Sequence, residues 1–398
     1  MNKVELLAPA GDLEKLKIAV LYGADAVFIG GTKFSLRARA SNFSIEDIKE
    51  GCEFAHKHGA KIHVTCNILP HEIDTDGVRE YLSSLEKAGV DAIICASPLI
   101  ITEVLKTKME CHVSTQESTL NSSMVKFFEN LGVKRVVLGR ELDLDSIKEI
   151  KSNCNVDIEA FIHGGMCVSY SGRCMLSNNM TNRDANRGGC AHSCRWNYDL
   201  YKGRTKLNPE NDFFAMSSKD LCALPLLKKF IETGVTSFKI EGRMKSLHYI
   251  ATIVKTYRMA IDEYYETGDI KNLDFYMNQI RKAENRETSI GFLNGMTTVN
   301  EQLYDLFHEN PTQTFIGTVL GYDPDTQLIK LDVRNYFKKN SKIELFSYNQ
   351  SDKIFEIDDI LDSNGFHISE ANHPRDIVYI KCPFKASEND MLRLVNND

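Results

Sequence analysis

The chain has 398 residues, 42% of them apolar and 26% charged, and a formal net charge of −7. That is the composition of a folded globular protein, and its length exceeds one ordinary core, so one large and one small domain are expected. No apolar run reaches the roughly 18 residues that cross a bilayer, so no membrane partner is expected, and the acidic balance gives no general affinity for nucleic acid.

The chain opens "MNKVELLAPAGDLEKL", a short apolar stretch running straight into acidic helix-start residues, which is not a secretion signal; the expected location is the cytoplasm. Eleven cysteines in such a setting argue against a disulfide framework. From there to residue 243, short β-branched runs alternate with helical periodicity. The strand candidates are residues 4–9, 26–31, 61–67, 91–96, 111–116, 135–140, 157–164 and 237–243. Helix patterns lie between them, for example over 12–22, 44–58, 76–88 and 121–130. Asp, Ser or Asn stands near several of their starts, and Gly23, Gly59, Gly89 and Gly132 stand where helices should end. Eight strands, apolar on both faces and each followed by a helix, predict an α/β fold, a closed (β/α)8 TIM-like barrel; an open doubly wound sheet is the alternative. The spacing is even except between residues 157 and 237, which reads as a cysteine-rich insertion over 164–212. Helical periodicity resumes over 247–265, "GFLNG" breaks it, and from Thr314 the pattern turns all-β, beginning with two alternating strands around Asp-Pro-Asp. The division expected is a barrel over 1–300 and a small C-terminal all-β barrel over 301–398.

Barrels of this kind build their sites at the C-terminal strand ends. There the sequence places His63 and Asn67, Ser114 and Gln116, Arg140 and Glu141, Glu159 and His163, Lys239, Glu241 and Arg243, with Arg37 and Arg39 following the second strand. Such a mouth, rich in guanidinium and ammonium groups, suits a carboxylate or phosphate ligand. The insertion adds Cys167, Cys174, Cys190 and Cys194 in the pattern Cys-x6-Cys-x15-Cys-x3-Cys, with glycines at 164, 165, 172, 188 and 189. Structural zinc favours two tight Cys-x2–4-Cys knuckles, and only the second pair fits. A thiol nucleophile needs one cysteine and a base such as His163, which leaves three thiols unexplained. A 4Fe–4S cluster takes four thiolates at looser spacing, with backbone N–H groups and Arg173, Arg183, Arg187 and Arg195 to offset its charge. Between Gly164 and Lys206 seven Lys/Arg face two Asp/Glu, a local basic patch in an acidic protein. No Walker loop, G-x-S-x-G or G-x-G-x-x-G occurs.

The stretch "EAFIHGGMCVSYSGRCMLS" resembles the signature of the collagenase-like peptidase family U32. Glu159, Phe161, Gly164, Gly165, Met166, Cys167, Gly172, Cys174, Leu176 and Ser177 fill it. The similarity extends through "YGADAVFIG", "SLRARASNFS", "NRGGCAHSCRW" and "FKIEGRMKSLHY" to the C-terminal tail. What the resemblance implies is an oxygen-independent hydroxylase carrying a 4Fe–4S cluster, with prephenate as oxygen source and tRNA, ribosomal RNA or ubiquinone as substrate. The length and tail point to the branch that converts wobble uridine of tRNA to 5-hydroxyuridine. On that reading Cys167, Cys174, Cys190 and Cys194 ligate the cluster, and Arg37, Arg39, Arg140, Lys239 and Arg243 hold the carboxylates. His63, His163 or Glu241 manages protons, Tyr170 or Trp196 stacks the base, and the basic insertion grips the anticodon phosphates. The alternatives are a collagenase-like peptidase, hydroxylation of another RNA or a small molecule, and an RNA-binding scaffold with a structural metal such as zinc.

Overall fold

The structure is a computed structural model and describes residues 3–36, 42–210, 212–283, 286–303 and 313–395. Arg37 and Arg39, both expected at the site, lie outside the described residues. Eight parallel strands form the first unit: β1 (Glu5–Pro9), β2 (Ala26–Gly30), β3 (Lys61–Cys66), β4 (Ala92–Cys95), β5 (Glu110–Val113), β6 (Arg135–Val137), β7 (Asp157–Gly164) and β8 (Ser237–Ile240). Each pairs with its sequence neighbours, and β8 pairs with both β7 and β1, so the sheet closes into a TIM-like barrel.

Local chemistry sets the helix bounds. Asp12 accepts from the Lys15 N–H at the start of Leu13–Leu21, and Ser44 and Asp47 cap Ile45–Lys57 reciprocally. At the other ends Gly23, Gly59, Gly89 and Gly132 all take positive φ, as expected of them. The fifth strand stops earlier than the β-branched run suggests. The Ser114 hydroxyl accepts the Gln116 backbone N–H and turns the chain into a 3-10 helix over Thr115–Glu117.

Inside the barrel, register places Glu5, Ser237 and Glu159 on one level, and Leu7, Lys239 and Phe161 on the next level toward the C-terminal ends. The lower level is ionic. Arg135 donates to Glu159 at 3.1 Å and to Glu5 at 3.2 Å, and Ser237 donates to Glu5 at 2.8 Å. Outside, the 21-residue helix Leu247–Thr267 buries Ile250, Val254, Tyr257 and Ile261 against the strands. Among the described residues no helix is long and apolar enough to cross a membrane.

The C-terminal unit is all antiparallel. Its eight-stranded sheet is built around the hairpin Gln313–Asp323/Leu328–Val333, and two register shifts in the first of these strands help it roll around a core of Ile316, Val319, Leu331, Ile343 and Ile380. Asp323 closes the hairpin by accepting from the Asp325 N–H and the Thr326 hydroxyl. This domain seats against the barrel's outer helices. Tyr22 donates to the Phe346 carbonyl and Lys255 pairs with Asp352 at 2.7 Å, while within the C-terminal domain the fully buried Arg393 guanidinium lies 3.7 Å from the Phe346 ring centre. It flanks the barrel and supplies no residue to the mouth pocket described below.

Candidate active site at the barrel mouth

Between β7 and β8 the insertion folds as a short helix (Leu176–Thr181), two 3-10 turns (Ala185–Arg187 and Ser193–Arg195) and an exposed hairpin joining Tyr201–Lys202 to Thr205–Lys206. It is tied down over the mouth at several points. Arg187 makes a two-pronged ion pair with Asp74 after β3, at 2.8 and 2.7 Å. The Leu69 N–H donates to the Asn186 carbonyl, and the Ser118 hydroxyl after β5 donates to the Ser171 carbonyl at 2.8 Å. Within the insertion, Ser177 of the signature accepts from the Ala191 N–H and stands 4.0 Å from the Cys190 sulfur. Arg195 donates to the Met166 carbonyl.

The result is a pocket of about 190 Å³ whose walls include all four clustered cysteines. Its other side is the barrel mouth, with Asn67, Gln116, Arg140, Lys239, Glu241 and Arg243, while Phe28 and Phe161 form an aromatic floor. Tyr170, about half exposed, overhangs it. Burial pushes the Cys194 thiol above its ordinary value; the Arg195 charge pulls the other way, and Cys167, Cys190 and Cys174 all lie close enough to raise it further. The remaining seven cysteines are buried singly or, like Cys95 and Cys111, side by side in the core, away from this pocket. Among the described residues no three His, Cys, Asp or Glu side chains are drawn tightly enough around one point to grip a single metal ion.

The cations are held in defined ways. Lys239 donates to Glu159 at 2.7 Å, and its ammonium sits 4.5 Å from the Phe28 ring centre and 5.6 Å from that of Phe161. The Arg140 guanidinium stacks 4.5 Å over Phe161 and donates to the Gly165 carbonyl. Arg243, nine-tenths buried, donates to Ser35 at 3.1 Å, Thr65 at 3.4 Å and Asn42 at 3.2 Å. It lies across the end of β2, where a Cβ on Gly30 would meet its Nη2 at 2.0 Å. Gln116 is also nine-tenths buried. The Ser114 hydroxyl accepts the Gln116 N–H and donates to Gln116 Oε1 at 3.1 Å. That orients the amide and leaves Nε2 as a buried donor with no protein partner.

Two expected histidines are not brought to the pocket. His63 falls in mid-strand, fully buried, with its ring edge-on to His112 at 4.8 Å and below the lining; burial holds its pKa down. His163 would face the barrel interior by simple alternation after Glu159 and Phe161. A register shift against Lys239/Ile240 instead pairs it with outward-facing Ile240, and its Nδ1 meets the Tyr257 hydroxyl of the covering helix at 3.2 Å. Neither histidine lines this pocket, whereas Glu241 does. Trp196 is partly exposed on the insertion and is not part of the lining. Glu159, expected at the mouth, lies one level below it under Lys239, and the aromatic floor of Phe28 and Phe161 shows in the sequence only as the period-two alternation along β2 and β7.

Gly172 carries the cysteine loop over the pocket. At φ 73° a Cβ there would stand 2.5 Å from the Gln116 carbonyl. Gly172→Ala is therefore expected to lift this loop and lower metal retention severalfold with little change in Tm. Metal analysis beside a melting curve checks it.

Residues 11–303 match Peptidase family U32 and residues 311–393 match the Peptidase family U32 C-terminal domain. The chain belongs to this family. It is 47% identical to tRNA hydroxylation protein P1 of Bacillus subtilis, over 98% of this chain and 95% of that protein. To tRNA hydroxylation protein P of Escherichia coli it is 32% identical over 87% of each chain. To the 23S rRNA 5-hydroxycytidine C2501 synthase of Escherichia coli it is 38% identical, over 74% of this chain and 46% of that protein.

Proposed function

We propose that this protein is an RNA hydroxylase that modifies a tRNA base, wobble uridine to 5-hydroxyuridine, using a 4Fe–4S cluster and prephenate as the oxygen donor. The observation that carries the reading is that four thiols and three cationic side chains line one pocket at the barrel mouth. The names of the relatives favour RNA hydroxylation over peptide hydrolysis.

The donor set suits the cluster. One tetrahedral zinc, with Zn–S bonds of about 2.3 Å, needs its sulfurs only about 3.8 Å apart. Four thiols lining one pocket, with the Arg195 charge beside Cys194, are the donor chemistry a four-iron cluster takes, with Cys167, Cys174, Cys190 and Cys194 as ligands. When bound, such a cluster would supply an electron-transfer centre facing the pocket. The chain's own residues do the rest. Arg140, Lys239 and Arg243 neutralise the carboxylates of a small dianion, the Phe28 and Phe161 floor excludes water beneath it, and Glu241 is the carboxylate available to take or return a proton. An unpaired anticodon base enters without any cost of duplex opening and stacks on Tyr170. The basic insertion faces the phosphates.

Gln116 favours uridine over cytidine. Its oriented Nε2–H is a donor, which matches the 4-oxo group of uracil and opposes the 4-amino group of cytosine. Gln116→Glu, which replaces that donor with an acceptor, is expected to cut uridine hydroxylation by at least about tenfold and to raise the cytidine share. Deleting the gene and restoring it with wild type or Gln116→Glu, followed by mass spectrometry of digested tRNA, tests both statements. The 5-hydroxyuridine family of nucleosides should vanish in the deletion and return only with wild type. An unchanged nucleoside profile in the deletion contradicts the proposal.

A further inference from the structure

Glu159 opens the cysteine signature, yet it never reaches the pocket. Its carboxylate is completely buried one level below, between two cations: Oε1 accepts from Lys239 at 2.7 Å and Oε2 from Arg135 at 3.1 Å, with the Ser237 hydroxyl 3.4 Å away. Lys239 is itself almost wholly buried and, among the described residues, is the partner of Glu159 that lines the pocket. An ammonium has three N–H donors on a flexible stem. Here one donor is committed downward to Glu159, and the ammonium lies 4.5 Å from the Phe28 ring centre and 5.6 Å from that of Phe161, so the head group is held from three sides.

We infer that Glu159 is a positioning residue that acts through Lys239: it fixes the ammonium at the pocket floor as a preset receptor for one carboxylate of the anionic co-substrate. Arg135 completes the device from below. By pairing with both Glu159 and Glu5 it keeps Glu159 ionised without competing for the pocket side of Lys239. Glu5, His63 and His112 are the other titratable groups around this layer, and none of them lines the pocket. The inference rests on the reading of the pocket as a dicarboxylate site.

The test is a double-mutant cycle on iron-loaded protein, with prephenate and malonate as calorimetric probes and tRNA binding as a control. Glu159→Gln and Lys239→Met are each expected to weaken anion binding by at least about tenfold, the loss of one charge-assisted contact, while tRNA affinity is unchanged. The double variant Glu159→Gln/Lys239→Met removes both charges together and so folds even where the single Glu159 change does not. It should bind anions no more weakly than Lys239→Met alone. Penalties that multiply in the double variant, wild-type anion affinity in Glu159→Gln, or a wild type that binds neither anion overturns the inference. Coupled anion binding without any RNA hydroxylation leaves the inference standing and sinks the hydroxylase reading; hydroxylation without the coupling does the reverse.

Discussion

Cys174→Ala is expected to yield a folded protein that loses its iron and, with it, RNA hydroxylation by more than about a hundredfold. The stability cost should be small. Cys174 is only partly buried, in an insertion outside the barrel core, so the barrel itself should stay folded. The functional cost should be near total, because on the proposed ligation Cys174 is one of the four thiolates that hold the cluster. Cys95→Ala provides the contrast. That thiol is wholly buried beside Cys111 beneath the covering helices, so its loss should lower Tm and leave iron per folded chain unchanged. Iron content, visible absorption and melting temperature, measured together for the two variants, separate the two kinds of cysteine.

The largest effect on stability is expected at Arg135. Its guanidinium is the shared partner of Glu5 and Glu159, both inside the barrel. Burial alone would raise both carboxyls. The Arg135 charge for Glu5, and the Lys239 and Arg135 charges for Glu159, overcome it and hold each at about 2. Arg135→Met leaves Glu5 without its ion-pair partner and Glu159 with one in place of two, and should cost about 3–5 kcal/mol, the range for breaking a buried pair from one side. The same geometry fixes a pH dependence. Both carboxyls lie below their ordinary value of 4.5 in the folded state, so their contribution is complete above about pH 4.5 and is lost as pH falls toward 2. Acid denaturation of wild type should therefore steepen below pH 4.5, and Arg135→Met should begin to unfold at a higher pH. Circular dichroism across pH 2–7 reads both effects. A variant with the wild-type acid midpoint would show that the ionic layer contributes little.

The barrel was legible because its signal is repeated eight times. Each β-branched run with a capped helix after it carries the same instruction, and closure needs only that the count be eight. The cysteine cluster was legible because four thiols in one glycine-rich segment have few structural uses. Side-chain direction near strand ends was less so. His163 reads as a mouth residue until the register shift in β7 turns it to the helix side, a displacement that no local composition encodes. His63 looks like a strand-end residue, but its strand continues three residues further to Cys66. The Glu159–Arg135–Glu5 layer joins residues separated by 24 and 130 positions, so only the closed sheet brings it together.

The central claim is that the four sulfurs meet at one iron–sulfur centre facing the cationic pocket. Iron and sulfide analysis with iron X-ray absorption of anaerobically purified protein tests it most directly. The account predicts four irons and four sulfides per chain in an all-sulfur shell, lost in Cys174→Ala. A single zinc, or an iron signal that survives in Cys174→Ala, would contradict it.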